Sequence, residues 1–599
     1  MKLLRLKITD PKGFRSLQPG FEYHFRTEWD LQEEQGFAPF VCAGPNGSGK
    51  SNLLEVLAAI FFQLEILRVR RSFLPDNFLY DERDNPKGFR DGDGVPDGFE
   101  LEYLIRVPPE FCASYSPEFA EVRIIKNPGS SPEINWLNQA EFEYVALGVI
   151  SEQEREFLLP QFVLGYSSGE NEILSLPFFK MRFIQFDEYW QSLKEQLSYP
   201  GRPETRMAYL DSGFSQAILI CNLLFHDSDS LKPFREDVGV EELKEFRIII
   251  RRSIEVSKEV AAGFSERGFS KAFSSDFSKG KRNPALTIDE ESDSYKVNLM
   301  ERLEAEEKSA DNFDPIVSRL KRCATCWFVD ETTDTLYLDY LVNDATRKSF
   351  SENFDFDVNK SPIALFQALQ VLLTLNLYSA SESLKTELYQ SESQYVTETV
   401  PILASDERIM RFKFVKFSKV GVDQPVMLKS LSDGEHQLLH SLGLCLLFKN
   451  TNSLFLLDEP ETHFNLDWRS NFVTRLHQCF KGAEDTHEML VTTHTPFLVS
   501  DSRPEKVLVF NKTDGVVNVS RPEFNTLGAS INKITMSKIF DKRETIGGHA
   551  QAILEKLRQR FQNGEDKEQL LAEIERELGD SVEKVLLIKT ILNSMEEQG

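Results

Sequence analysis

The chain has 599 residues, of which 41% are hydrophobic and 27% charged, with a formal net charge of −26. This length exceeds one ordinary core and predicts three or four lobes, and the apolar share excludes a disordered chain. So acidic a surface also excludes nonspecific coating of nucleic-acid phosphates, which needs clustered Lys and Arg. Seven cysteines in so long a chain fit a reducing compartment rather than a disulfide scaffold. No run approaches the roughly 18 apolar residues of a membrane span. The opening MKLLRLKITD lacks the apolar stretch of a secretion signal. The expectation is a cytoplasmic protein with no membrane segment.

In chain order, residues 1–9 and 21–26 predict an opening hairpin around Gly13-Phe14-Arg15-Ser16-Leu17. The apolar run Phe37–Ala43 predicts a buried strand, and Ser51–Leu67 has helical spacing. Between them, Gly44-Pro45-Asn46-Gly47-Ser48-Gly49-Lys50-Ser51 matches G-x-x-x-x-G-K-[ST] in full, in the strand-to-helix context the motif requires. Its glycines let backbone N–H groups face phosphates, and the helix start adds a favourable dipole. Lys50 is then expected to bridge the β- and γ-phosphates of ATP, and the Ser51 hydroxyl to ligate Mg²⁺.

A Gly-, Pro- and Asp-rich loop follows at 75–98, then strands at 99–107, 121–126 and 162–168. The last leads into Ser167-Ser168-Gly169-Glu170, and the early Pro177 predicts only a short helix after it. Residues 205–395 read as mostly helical, with one strand at 334–342. The basic islands Arg68–Arg71 and Lys279–Arg282 read as solvated turns or helix ends. Cys323 and Cys326 form a lone CxxC without the further ligands a zinc site needs.

Strand character returns at 408–420, and a helix is predicted over 431–448, opened by Leu431-Ser432-Asp433-Gly434-Glu435. Ser453–Asp458 reads as a buried strand ending in Asp458-Glu459-Pro460. Carboxylates at the C-terminal end of such a strand lie where ligands gather in open α/β sheets. Asp458 is expected to hold Mg²⁺ and Glu459 to orient and polarise the attacking water. His494 follows another strand, placed to hydrogen-bond a γ-phosphate.

Taken in this order, the motifs resemble those of ABC-class P-loop ATPases of the SMC, RecF and OLD-type branch. Gly44–Ser51 matches Walker A, Leu431–Glu435 the signature, Leu454–Pro460 Walker B, Glu461–Asn465 the D-loop position and His494 the switch histidine. Gly528–Asn532 and Leu578–Lys584 bring the chain nearest to the restriction-system-associated and PtuA-like AAA-family ATPases of bacterial antiphage defence.

The resemblance implies an α/β fold: an ABC-type head, with a mixed sheet around the P-loop and an antiparallel lobe, split by a mainly helical insert. The expected divisions are 1–200 (Walker A half), 201–400 (insert), 401–515 (signature, Walker B and switch histidine) and 516–599 (helical tail). It implies ATP and Mg²⁺ as ligands, Ser51 and Asp458 as metal residues, and Glu459 and His494 as catalytic. It also implies that Ser432, Gly434 and Glu435 act in trans on a second copy's nucleotide, hence a homodimer or higher. Gln161 and Gln185 are both candidates for a magnesium-contacting glutamine.

The Toprim carboxylate cluster of OLD-type nucleases is not recognised, nor is an HNH pattern. The expected role is therefore an ATPase that controls a separate effector, a nuclease or toxin, in antiphage defence. A RecF-like DNA-repair ATPase and an ATP-binding scaffold with negligible turnover stay open, as does nucleic acid as a partner.

Overall fold

A computed structural model describes residues 1–34, 36–70, 83, 92–112, 116–142, 150–168, 173–265, 283–289, 294–304, 314–354, 361–392, 400, 403–483, 486–540 and 546–596. It divides into two compact units, Met1–Leu527 and Gly528–Gly599. The basic island Lys279–Arg282 and the Gly169-Glu170 half of the first Ser-Gly-Glu string lie outside the described residues.

The larger unit is built on a seven-stranded sheet in the order Val516–Ser520, Val507–Thr513, Phe40–Ala43, Glu488–Thr493, Ser453–Asp458, Phe162–Ser167, Met207–Tyr209. All pairings are parallel except that of the outermost Val516–Ser520. Every residue of Phe40–Ala43, Ser453–Asp458 and Glu488–Thr493 is buried, as expected of parallel strands covered on both faces. The helix Lys50–Arg70 packs against Ser453–Asp458 and against the helix Ser175–Glu195.

An antiparallel five-stranded sheet carries the opening hairpin, in the order Glu22–His24, Lys2–Ile8, Phe99–Arg106, Phe119–Lys126, Glu133–Trp136. Along Phe99–Arg106 buried and half-buried residues alternate strictly, the period-two signature of a sheet with one face on a core.

A second antiparallel sheet of five strands draws three from the expected insert: Val240–Arg251, Cys326–Asp330 and Thr335–Leu341. Met410–Lys419 and Val422–Met427 complete it, and Ser253–Val256, Leu286–Asp289 and Ser294–Asn298 form a separate three-stranded sheet. The segment 201–400 thus holds strands as well as helices. The β-branched run Ile248-Ile249-Ile250 decides for strand at Val240–Arg251, where helix was expected, while the strand expected at 334–342 stands at Thr335–Leu341.

The smaller unit contains the helices Ile531–Met536, Gly548–Gln562, Lys567–Glu577 and Val582–Glu596, around Leu554, Leu557, Leu570, Ile574, Leu587 and Ile591. It begins after the expected boundary at 516, because Val516–Ser520 is an edge strand of the main sheet. Among the described residues, no single helix is long and apolar enough to cross a membrane.

A candidate nucleotide site at the edge of the parallel sheet

The register brings four chain segments to one sheet edge. Ala43 pairs with Thr493, and Asp458 with both Thr492 and Ser167. The residues that follow these strands therefore converge beyond their C-terminal ends, where an open α/β sheet takes its ligand.

Gly44, Gly47 and Gly49 all have positive φ. At Gly44 a Cβ would stand 2.4 Å from the Phe510 carbonyl oxygen of the neighbouring strand, so only glycine lets the loop leave the sheet there. Lys50 opens the helix, and its ammonium donates to the carbonyls of Gly44 and Pro45 at 3.0 Å each. Burial pushes this ammonium below its ordinary pKa, while Glu459 and Asp458 oppose the shift. The Ser48 hydroxyl is buried with no hydrogen-bond partner. A glycine-rich loop at a helix start, with an ammonium and an unpartnered buried hydroxyl, fits an incoming phosphate chain.

Asp458 is fully buried. One of its oxygens accepts from Ser51 at 2.8 Å and from Thr492 at 2.6 Å, and the other lies 3.5 Å from the Ser167 hydroxyl. Burial pushes the carboxyl up, against the hydrogen bonds from Thr492 and Ser51. The adjoining hydroxyl and carboxylate of Ser51 and Asp458 are the hard-oxygen donors Mg²⁺ takes beside nucleotide phosphates. No cluster of three or more His, Cys, Asp or Glu able to hold a metal occurs among the described residues. Cys323 is buried and Cys326 exposed, and neither joins one.

Glu459 has φ 49°, a conformation strained for a non-glycine residue, and its amide donates to the Thr492 hydroxyl at 3.0 Å. Its carboxylate meets the His494 Nε2 at 2.6 Å. That contact holds the Glu459 carboxyl below the usual range, with burial opposing. Glu459 and His494 thus form a partly exposed pair, with Glu459 close enough to the P-loop to act on the Lys50 ammonium.

Two further groups brace this edge. Buried Glu461 accepts from Thr493, whose hydroxyl oxygen also accepts the Thr495 amide at 3.0 Å, so the Walker B turn and the His494 turn are tied together. Burial pushes the Glu461 carboxyl up to about 7. The Ser168 hydroxyl lies 2.8 Å from that of Thr462, and the Ser168 amide donates to the Asp458 carbonyl at 3.1 Å. The sequence signal for this layer is two polar residues, Thr492 and Thr493, following the apolar Met489-Leu490-Val491 in a buried strand.

Ser432, Gly434 and Glu435 stand elsewhere. Ser432 is exposed and caps the helix Asp433–Leu447 through a reciprocal box with Glu435. Lys419 also holds Glu435, at 2.7 Å. Gly434 lies against the D-loop segment: a Cβ there would meet the His463 carbonyl oxygen at 2.7 Å, and the His463 amide donates to Gln437 at 2.9 Å. None of the three makes a hydrogen bond to the P-loop among the described contacts.

Neither candidate glutamine reaches the site. Gln161 pairs with Asn452 ahead of the strands Phe162–Ser167 and Ser453–Asp458. Gln185 donates to Thr205 and to the Met207 carbonyl. Both lie toward the N-terminal ends of the parallel strands, the wrong end for a nucleotide.

The sheet order, the complete P-loop and the converging Asp458, Glu459 and His494 make an α/β fold with a candidate P-loop nucleotide site. In agreement, residues 253–500, less than half the chain, match the family described as "AAA domain, putative AbiEii toxin, Type IV TA system". No curated protein matches the chain in sequence. Among solved structures, the chain is similar to the Pyrococcus furiosus Smc head domain with an extended coiled coil bound to the C-terminal domain of ScpA. There identity is 12%, coverage is 87% of this chain and 96% of that one, and the TM-score is 0.29. The Thermotoga maritima SMC head domain gives 10% identity, 88% and 100% coverage, and a TM-score of 0.28. At such scores the two structures add no weight to the assignment.

Proposed function

We propose that this chain hydrolyses ATP as a dimer closed around two nucleotides, and that the closed state switches a separate effector, a nuclease or toxin, in antiphage defence. The observation that carries the dimer is the outward placement of Ser432. That capped helix start is exposed and makes no hydrogen bond to the P-loop of its own chain among the described contacts, whereas Ser51, Asp458, Glu459 and His494 are joined by theirs. In a dimer, the Ser432 hydroxyl and the positive end of its helix would meet the partner copy's γ-phosphate. The Gly434–His463 contact then couples that helix to the D-loop and through it to Asp458 and Glu459. The effector role is supported by the sequence resemblance and by the toxin–antitoxin description of the matching family.

Chemically, Lys50 and the loop amides would hold the phosphates, and Ser51 and Asp458 would hold Mg²⁺, which would supply neutralising charge for the phosphoryl oxygens. Glu459 polarises the water, and His494 fixes the Glu459 carboxylate and the γ-phosphate. The test is Glu459→Gln. With ATP and Mg²⁺, its molar mass by light scattering should double while turnover falls. A variant that stays monomeric with bound ATP sinks the dimer reading. Wild-type turnover in the variant sinks the assignment of Glu459.

A further inference from the structure

The sheet formed by Cys326–Asp330, Thr335–Leu341, Val240–Arg251, Met410–Lys419 and Val422–Met427 has one face on the core and one in solvent. Register fixes what the solvent face shows. One row runs Phe328, Tyr337, Ile249, Arg411, with Ile249 itself buried, and the next runs Cys326, Asp339, Arg247, Lys413. Arg251 opposes Thr335 in the row before, and Lys416 opposes Glu245 in the row after.

Across these rows the aromatic rings and cations form one continuous stack. The Phe328 and Tyr337 rings lie 4.7 Å apart and within 7° of parallel. The Arg247 guanidinium sits 5.6 Å from the Tyr337 ring centre and 5.7 Å from that of Phe414, and Lys413 lies 5.0 Å beyond on Phe414. Phe414 holds φ 56° at an irregularity in its strand. Phe328 is 48% exposed and Phe414 41%.

The charges on this face run against the rest of a chain whose net charge is −26. Arg247 is neutralised by Asp339, and Lys416 by Glu245. Asp330 is taken up by its own turn through Thr332 and Thr333. Arg251, Arg411 and Lys413 have no carboxylate partner among the described residues. Exposed ring faces flanked by unpaired cations make the combination that holds unstacked bases and tracks a phosphate backbone.

We propose that this sheet face binds single-stranded nucleic acid, with bases stacking on Phe328 and Phe414 and phosphates meeting Arg251, Arg411 and Lys413. This site is separate from the ATP site and stands whether or not the chain controls an effector. A duplex, whose bases are already stacked, offers nothing to the rings.

The experiment is fluorescence anisotropy of labelled 20-nucleotide dT and rU strands, and of a blunt DNA duplex, against the full chain. Binding of either strand over the duplex supports the proposal, and the two arms name the sugar. Three phosphate contacts predict a slope of about −2 in log affinity against log salt. Phe328→Ala with Phe414→Ala should weaken binding at least tenfold. Lys413→Glu should weaken it and flatten the slope by about 0.7. Because Lys413 is exposed, that variant should keep the wild-type melting temperature and basal ATPase rate. The proposal fails if neither strand binds at low salt, if the duplex binds as well as the strands, or if these variants bind like the wild type.

Discussion

Ser167 ends a buried strand and faces Asp458, whereas Ser432 precedes a helix and faces solvent. Both belong to a Ser-x-Gly-Glu string, yet their surroundings differ in kind. Around Ser167 and Ser168 the contacts run inward, to Asp458 and Thr462, and complete a site within the chain. Around Ser432 they close on themselves in a capping box, leaving the helix end for something outside. The same short pattern faces the chain's own buried Asp458 in one place and, on the proposed reading, offers a surface to a second copy in the other. What separates them is the neighbouring strand, not the string.

Four measurements sharpen or break this contrast. The largest effect should come from Ser432→Arg mixed with Lys50→Ala. Each variant alone should lose turnover on the order of 10²–10³-fold. Mixed, they should recover activity, because a heterodimer holds one intact P-loop facing one intact Ser432. No recovery means Ser432 does not act in trans. Next, Ser432→Arg alone should bind ATP with near wild-type affinity as a monomer, read by equilibrium dialysis, since no P-loop contact is lost.

Third, Glu461→Gln should change the pH dependence of stability. The Glu461 carboxyl is raised to about 7 in the fold, so the native state keeps a proton the unfolded chain has released. Wild-type stability relative to the Gln variant should therefore fall as pH rises from about 4.5 to 7 and level off above, by at most about 3 kcal/mol. Thermal melts across that range read it. Glu435, on the other string, should behave oppositely: burial works against it, but Lys419 and the Ser432 groups hold its carboxyl below the usual value. The smallest effect is Ser167→Ala, which removes one long contact to Asp458 and should cost about threefold in turnover, mostly through weaker Mg²⁺ affinity.

The P-loop and Asp458-Glu459 were legible because their chemistry requires fixed residue types in an unbroken run. The signature was legible as a string, but its outward direction was not. The strand Val240–Arg251 was hidden by Glu and Lys flanks that mimic a helix's solvated face. The helix Ser175–Glu195 extends well past the short one that Pro177 had suggested. Pro177 is the third residue of that helix, where amides have no intrahelical acceptor and a missing N–H costs nothing. Gln161 directly precedes the strand expected at 162–168, so its place at the N-terminal end was readable, whereas Gln185 sits inside a helix whose packing the sequence does not show.

The strand order also bears on how the protein is made. The P-loop strand Phe40–Ala43 takes both its sheet neighbours, Glu488–Thr493 and Val507–Thr513, from far down the chain. During synthesis it must wait, unpaired, until nearly the whole larger unit has emerged. Such long-range closure is slow and leaves an apolar strand exposed meanwhile. It also means that a chain cut short before residue 488 lacks both strands that frame the P-loop, so an interrupted product carries the Walker A sequence without an ATP site.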